Sequence, residues 1–325
     1  MTSVAARPLL VGADIGGTKT AVIVARREGP LLARHVEPTA GDPARAAERV
    51  GSAILAALAA AGATPADVAA VGVGVPGRVD REKGRVTLAL NMGWHDLTLG
   101  PVLEARLGVP TVLENDVRAA ALGLYRRKVA GDLQSLAYLA VGTGIAAGVV
   151  LAGRLHLGSH RLAGEIGHVP IDRDGPRCAC GLRGCLEAVA SGSAIAARGG
   201  TGDGAEAVFR AAAAGNHEAA RIIDDAGRSV AWAIQLLVLA YDVERVVLGG
   251  GVTHAGDAFL APVRRELDRL RAVSPLAREL LTDDLVHLLP ADADAGAWGA
   301  LSLAGRDLEP GDGAGDAQWR EVRTR

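Results

Sequence analysis

"LLVGADIGGTKTAVIVARRE", residues 9–28, has a counterpart at mid-chain in "SLAYLAVGTGIAAGVVLAGRL", residues 135–155. Each is an apolar run, a glycine turn and a second apolar run rich in β-branched residues. That pattern predicts strand, turn, strand. One such unit per half predicts two lobes of related architecture. The length agrees, because 325 residues exceed one ordinary core and suit two, at roughly 100–200 residues per domain.

Around these units the chain alternates strands and helices. "PLLARHVEP" predicts a third strand. "DPARAAERVGSAILAALAAAG" predicts an amphipathic helix with Asp42 as N-cap and Pro43 in its first turn. "VAAVGVGVPG" reads as a strand ending in a Gly/Pro turn, and "LTLGPVLEARLG" as a helix stopped by Gly108. "NMGWHDLTLG", residues 91–100, reads as a loop. "PTVLEND" reads as a short strand, with the helix "VRAAALGLYRRK" growing directly from it. A long helix is expected over 216–241, a strand in "ERVVLGGGV", and a last helix in "DADAGAWGALSLAG". The polar, glycine-rich tail 309–325 reads as disordered.

Composition excludes several classes. The net charge of −2 leaves no basic stripe to displace counterions, so no nucleic-acid partner is expected. The start "MTSVAARPLLVGAD" has no apolar core of a signal peptide. No apolar run reaches membrane-spanning length. The longest candidate, "SVAWAIQLLVLAYDVERVVLGG", is interrupted by Gln235, Asp242, Glu244 and Arg245. The 3 cysteines all fall within 178–185, and an odd cluster fits a metal in a reducing compartment better than disulfides. A cytoplasmic protein is expected.

Three glycine-rich turns, "DIGGTKT", "VGTGIAAG" and "LGGGV", each follow a predicted strand. Glycine there lets backbone N–H groups approach an anion, although tight turns also need glycine. A P-loop is excluded, because Thr18 stands where glycine should precede Lys19 and "AVIVAR" is no helix. "GVGVPG", residues 72–77, matches a dinucleotide fingerprint in letters only. It contains Pro76 and runs into "RVDREKGRV", which is not a helix. What remains is a hairpin phosphate loop. Asp14 can hold a hydrated Mg²⁺ on the phosphates of ATP, and Thr18 and Lys19 can contact phosphate oxygens. The alternative for Asp14 is a turn-forming Asx residue.

"HVPIDRDGPRCACGLRGCLE", residues 168–187, carries His168, Cys178, Cys180 and Cys185, one nitrogen and three sulfurs. These are usual zinc ligands. The C-x-C-x₄-C spacing is not finger-like, and buried free thiols are the competing reading. In "VLENDVRAA", Glu114, Asn115 and Asp116 sit where a strand meets a helix, a place from which polar groups enter an α/β crevice. Helix capping alone explains one of them.

The set "DIGGTK", "VGTG" and "GGG" resembles the actin-like sugar-kinase superfamily. "GEIGH" followed by "CACGLRGCLE" is similar to the signature of the ROK family (repressors, open reading frames and kinases), E-x-G-H then C-x-C-G-x-x-G-C-x-E. The resemblance spans about residues 9 to 305. It implies a two-lobed actin-like (ribonuclease H-like) α/β ATPase fold with a cleft between lobes. The small lobe is expected at 1–117 plus about 296–308, and the large lobe at 118–295. The resemblance also implies ATP-dependent phosphorylation of a hexose at its 6-hydroxyl, glucose first. A kinase of an amino- or N-acyl-hexosamine is the alternative within the class.

Site roles carry over residue by residue. Asp14, Gly16, Gly17, Thr18, Lys19, Gly142, Thr143, Gly144, Gly249, Gly250 and Gly251 are expected at ATP with Mg²⁺. His168, Cys178, Cys180 and Cys185 are expected to hold a structural Zn²⁺. Glu165, His168 and Glu187 are expected on the hexose, with Gly77 and Arg78 at its border. Asn115 is expected to hold a ring hydroxyl and Asp116 to act as general base on O6. The chain departs from the family pattern in "NDVR", with Arg118 replacing a small amide, and in Ala146 and Ala147 after the "VGTG" turn. A sugar-responsive repressor is not expected, since about a dozen residues precede Asp14, too few for a DNA-binding domain. Asp14, Lys19 and Asp116 argue against a non-catalytic sugar-binding regulator. A homodimer or higher homo-oligomer is a family expectation.

Overall fold

The computed structural model describes residues 7–27, 29–39, 42–89, 92–200, 202–290 and 293–305. In chain order the first part holds β1 (Leu9–Ile15), β2 (Lys19–Arg26), β3 (Leu31–Pro38), α1 (Ala46–Ala60), β4 (Val68–Val75), β5 (Arg78–Asp80), β6 (Arg85–Ala89), β7 (Trp94–Thr98), α2 (Gly100–Leu107), β8 (Thr111–Asn115) and α3 (Asp116–Arg126). The second holds β9 (Ser135–Val141), β10 (Ile145–Leu151), β11 (Arg154–His156), α4 (Leu186–Ala190), α5 (Gly192–Arg198), α6 (Gly204–Ala213), α7 (His217–Tyr241), β12 (Val246–Gly249), α8 (Asp257–Val273), α9 (Pro275–Leu280) and β13 (Val286–Leu288). The last element is α10 (Ala295–Ala304). The chain divides into two compact units. One runs to Gly131 and resumes at Asp294, and the other is Asp132–Ala293.

Each unit is built on a five-stranded sheet, ordered β3-β2-β1-β4-β8 in the first and β11-β10-β9-β12-β13 in the second. Position by position the two orders match. The first three strands are antiparallel and the last two join in parallel. This is the duplication that the two strand–glycine–strand units predict.

In the first unit β1 and β4 are apolar nearly throughout and buried on both faces, as central parallel strands require. α1 covers one face through Val50, Ile54 and Leu58. α10 covers the other, where Gly12 and Gly72 leave no Cβ to strike its backbone at Ala297, Ala300 and Leu301. The register sets Asp14 beside Gly74, and Val75 beside Asn115. The C-terminal ends of β1, β4 and β8 therefore lie together, as the α/β crevice rule expects.

In the second unit α7 starts at the predicted place. Asn216 caps it by accepting the Ala219 N–H at 3.0 Å. Its apolar positions Ile222, Ala226, Val230, Ile234 and Leu237 repeat at three or four residues, and they bury one face in the core.

Four expectations need correction. The first helix does not run from Pro43. Asp42 caps a 3-10 turn, Pro43–Arg45, and the α-helix proper starts at Ala46. Residues 91–100 are not simply a loop. β7 forms there and joins β5 and β6 in a three-stranded sheet, because Trp94, 1% exposed, buries in the core. The helix expected from "LTLG" starts at Gly100, since Leu97 and Thr98 belong to β7. The lobe boundary lies at 131/132 rather than 117/118, and the return is at Asp294. The reason is that α3 packs closely on α10, with Gly123 against Gly299. The tail 309–325 and the end of the expected 296–308 return lie outside the described residues. Among the described residues no helix is long and apolar enough to cross a membrane.

Candidate active site

The first unit gathers carboxylates at the end of its parallel strands. Asp14 closes β1 with its side chain between Gly74 and Gly296. A Cβ on Gly74 would lie 3.4 Å from Asp14 Oδ1, and one on Gly296 would fall on the carboxylate itself. Burial pushes the Asp14 carboxyl up to about 7, the charges of Asp116 and Asp294 push the same way, and Lys19 opposes them. Such a cluster favours a cation or a proton. Asp294, just before α10 and bonded to Arg34 Nε at 2.7 Å, was not singled out from sequence. "DADAG" offers no motif, and only the return of α10 to the sheet brings it to Asp14.

The turn between β1 and β2 is closed by Gly16 N–H donating to Lys19 O at 2.9 Å. It is braced from behind by Thr39 Oγ1, which donates to Gly16 O at 2.8 Å. Gly17, Thr18 and Lys19 are exposed. Gly17 has no positive φ, and a Cβ there would meet nothing within 4 Å. The fold therefore does not demand glycine at 17, whereas close approach of something from outside would.

At the β8–α3 junction Asn115 is buried and is the N-cap of α3. Its Oδ1 accepts from Arg118 N–H at 3.1 Å, and its Nδ2 donates to Gly77 O at 3.2 Å. The capping reading thus holds for Asn115, and one amide hydrogen remains for a ligand. Asp116, half-buried, follows it, and its Oδ1 accepts from Val117 N–H at 2.9 Å. Gly77 is required by its own turn, with φ +86° and Leu88 O where a Cβ would stand. Arg78 lies on β5 and is exposed. Arg118 is 2% exposed, and its Nε donates to Glu114 Oε1 at 3.0 Å. It points into the protein and forms no part of an open wall.

The second unit holds the cysteine loop. A 3-10 turn, Ile166–His168, presents His168, and Cys185 is the N-cap of α4. The four donor atoms of His168, Cys178, Cys180 and Cys185 lie within 4.8 Å of one another. Cys180 Sγ to Cys185 Sγ is 3.6 Å, and Cys178 Sγ to His168 Nδ1 is 3.6 Å. A tetrahedral zinc with ordinary Zn–S and Zn–N lengths spaces its ligands about 3.5–3.8 Å apart. All three cysteines are free, and the donor set fits a four-coordinate cation. Burial, together with the neighbouring thiols, pushes the Cys185 thiol up to about 12. The Leu182 backbone N–H holds Cys180 below the ordinary thiol value.

His168 turns Nδ1 toward the thiols, which leaves Nε2 to face elsewhere. Glu165 is exposed and Glu187 half-buried. Glu187 Oε2 accepts from Ile145 N–H at 2.9 Å, and a Cβ on Gly144 would strike that oxygen. The first turn of α4 is thereby tied to the "VGTG" turn, a link with no signature in the sequence. Gly192 N–H adds a second tie, donating to Gly142 O at 2.7 Å.

The "VGTG" and "GGG" turns lie side by side, since a Cβ on Gly142 would be 3.8 Å from Gly251 N. Gly249 is demanded by Tyr138, and Gly250 by its φ of +94° and the Val141 backbone. Gly142 and Gly251 have no such demand, as with Gly17. Ala146 and Ala147 continue β10 in regular pairing with β9.

A model of the ROK family matches residues 10–307. The chain is 32% identical over 284 residues to a glucokinase of Streptomyces coelicolor, covering 80% of this chain and 87% of that protein. It is 36% identical over 301 residues to an N-acetylmannosamine kinase of Citrobacter koseri, covering 90% of this chain and 98% of that protein. Among solved structures, the ROK family glucokinase from Streptomyces griseus in complex with glucose and AMPPNP superposes with a TM-score of 0.73 at 32% identity. That match covers 91% of this chain and 99% of the glucokinase.

Proposed function

The chain belongs to the ROK family, and on that premise we propose that it transfers the γ-phosphoryl group of ATP to the 6-hydroxyl of a hexose, with glucose as first substrate. The observation that carries the reading is the placement of Asp116 beside Asp14 at the ends of β8 and β1. An acceptor for a hydroxyl proton stands next to a carboxylate cluster suited to the cation of a metal–nucleotide.

The roles follow from the chemistry. Lys19 and the open turn at Gly16, Gly17 and Thr18 bind phosphate oxygens, as do the turns at Gly142–Gly144 and Gly249–Gly251. Mg²⁺, when bound near Asp14, neutralises charge on the phosphates. Glu165, Glu187 and the free Nε2 of His168 hydrogen-bond hexose hydroxyls. Asp116 takes the O6 proton as the O6–phosphorus bond forms and the bond from γ-phosphorus to the bridging oxygen breaks, and ADP leaves with that electron pair. A zinc ion at His168, Cys178, Cys180 and Cys185 would have four protein ligands and no open position, so its part is structural. It pins the loop that bears Glu165 and the start of the helix that bears Glu187. A thiol cluster and an ATP donor both suit the reducing cytoplasm.

One observation favours a second substrate class. The 36% identity to an N-acetylmannosamine kinase goes with an exposed Arg78, whose guanidinium has no side-chain partner among the described residues. An N-acyl hexosamine would give it one. Arg118, buried on Glu114, is not placed to make that contact. The test is ADP release from MgATP across glucose, mannose, glucosamine, 3-amino-glucose and both N-acetylhexosamines. Turnover led by glucose supports the first reading, and turnover led by an N-acyl sugar supports the second. A folded, metal-replete protein that turns over none of them would point to a hexose outside the panel or to a sugar-binding regulator.

Two smaller predictions belong here. Gly17→Ala and Gly251→Ala should leave thermal stability within experimental scatter, because a Cβ meets nothing, yet weaken AMPPNP binding in calorimetry. Unchanged affinity in both would remove these turns from the phosphate site. The second concerns pH. Asp14 keeps its proton in the folded chain to about 7, against 3.8 when unfolded. The stability it contributes is fully present below about 3.8 and is lost as pH rises through about 7. A cation at the cluster competes with that proton, so MgAMPPNP affinity should fall as pH drops below about 7. Asp294→Asn should move that midpoint down, and an unmoved midpoint would take Asp294 out of the cluster.

A further inference from the structure

Glu114 is 2% exposed and Arg118 equally so, an ion pair sealed directly behind the proposed base. A buried pair is weak evidence for stability, since its desolvation offsets much of its attraction. What this pair touches is more informative. Glu114 Oε1 accepts from Arg118 Nε at 3.0 Å and also from Asn115 N–H at 2.9 Å. Its Oε2 lies 3.8 Å from Arg81 Nη1. Asn115 in turn holds the Arg118 N–H and Gly77 O.

The four residues 114, 115, 117 and 118 therefore enclose Asp116 on either side in the chain. Glu114 and Asn115 also reach across to the same distant segment, at Arg81 and Gly77. That segment contains β5 and the exposed Arg78. The carboxylate of Glu114 is the node through which the strand end, the first turn of α3 and the 77–81 segment share one arrangement.

We propose that Arg118, Glu114 and Arg81 are positioning residues, a buried network that holds Asp116 at its working place and fixes the 77–81 segment relative to it. None of them touches the reacting atoms. The assignment rests on Asp116 being the base. Displacing a reacting group by about 1 Å can cost about 100-fold in rate, so loss of the network is expected to lower kcat by about 10–100-fold.

Arg118→Gln leaves the Glu114 charge buried without its main partner, and that variant can fail to fold. The decisive variant is the double change Glu114→Leu with Arg118→Met, which removes both charges and fills similar volume. Steady-state kinetics well below its melting temperature, calorimetric hexose binding and amide hydrogen exchange would be measured beside the wild type. The expected result is a cooperative melt above the assay temperature, a 10–100-fold lower kcat, and faster exchange at the residue-118 amide and across 77–81. Arg118→Lys, which keeps a charge-assisted bond, should recover part of kcat. A double variant with native stability, wild-type kcat and native protection at 118 would overturn the proposal. A wild type without turnover on any sugar would count against the kinase reading alone, because the exchange readout still tests the network.

Discussion

Asp116→Asn is expected to lower kcat by about 10²–10⁴-fold, the usual contribution of a general base, while hexose affinity stays near that of the wild type. The substitution is nearly isosteric. The Asn side-chain oxygen can still accept the Val117 N–H that Asp116 Oδ1 now holds at 2.9 Å, so the first turn of α3 survives. What disappears is an acceptor for the O6 proton. The charge also disappears from beside Asp14, where Asp116 is the larger of the two acidic neighbours that raise its pKa. The pH midpoint for MgAMPPNP binding should then fall together with kcat. Turnover with glucose, glucose Kd and that midpoint together check the assignment. Wild-type turnover in Asp116→Asn would remove it as the base, even if the midpoint moved.

The second large effect is expected from the cysteine loop. One zinc per chain should be found by atomic absorption. Stripping it with a chelator, or Cys185→Ser, should lower the melting temperature and weaken glucose binding by an order of magnitude or more. Cys185 is the more telling position. It is 0% exposed, and its thiol is held well above the ordinary value by burial. Without a cation only weak sulfur contacts, such as Cys180 Sγ to Cys185 Sγ at 3.6 Å, hold the cluster together. Apparent zinc affinities of about 10–16 kcal/mol in small structural sites set the scale, so the loop from Glu165 to Glu187 should melt locally. Because Glu187 is bonded to Ile145 N–H in the "VGTG" turn, AMPPNP binding should weaken as well, though less than glucose binding. A zinc-free protein with unchanged glucose affinity would show that the metal does not hold the hexose groups in place.

Much of this was legible along the chain. Runs such as "LLVGADI" and "SLAYLAV" are apolar because they end up as central strands, buried on both faces, and that pattern needs no tertiary knowledge. The cysteine stretch was legible for a different reason. Candidate metal ligands carried on one loop are close in sequence as well as in space, and all four donor residues fall between 168 and 185. Asn115 and Asp116 stand out in the sequence as candidates because a strand leading straight into a helix marks a crevice edge.

Other features were not legible, and each depends on distant residues. Trp94 turned an expected loop into a strand by burying in a core shared with α1 and β4. Asp294 reaches Asp14 only because α10 returns to the sheet. Gly17 and Gly250 look alike as letters, yet the surroundings of one are empty and those of the other are filled by the Val141 backbone.

By itself, then, the sequence determined the repeated strand–glycine–strand plan and the clustering of His168, Cys178, Cys180 and Cys185, and its resemblance to a family implied the candidate base. The first two rest on local periodicity or on spacing within one segment. The tertiary structure alone decided which carboxylates meet at Asp14, which glycines the fold requires and which it leaves open, and that Arg118 is buried against Glu114 and does not line the site. Those outcomes depend on burial and on charges brought together from segments far apart in the chain. Pairwise electrostatics and desolvation act through space, and no one-dimensional pattern carries them.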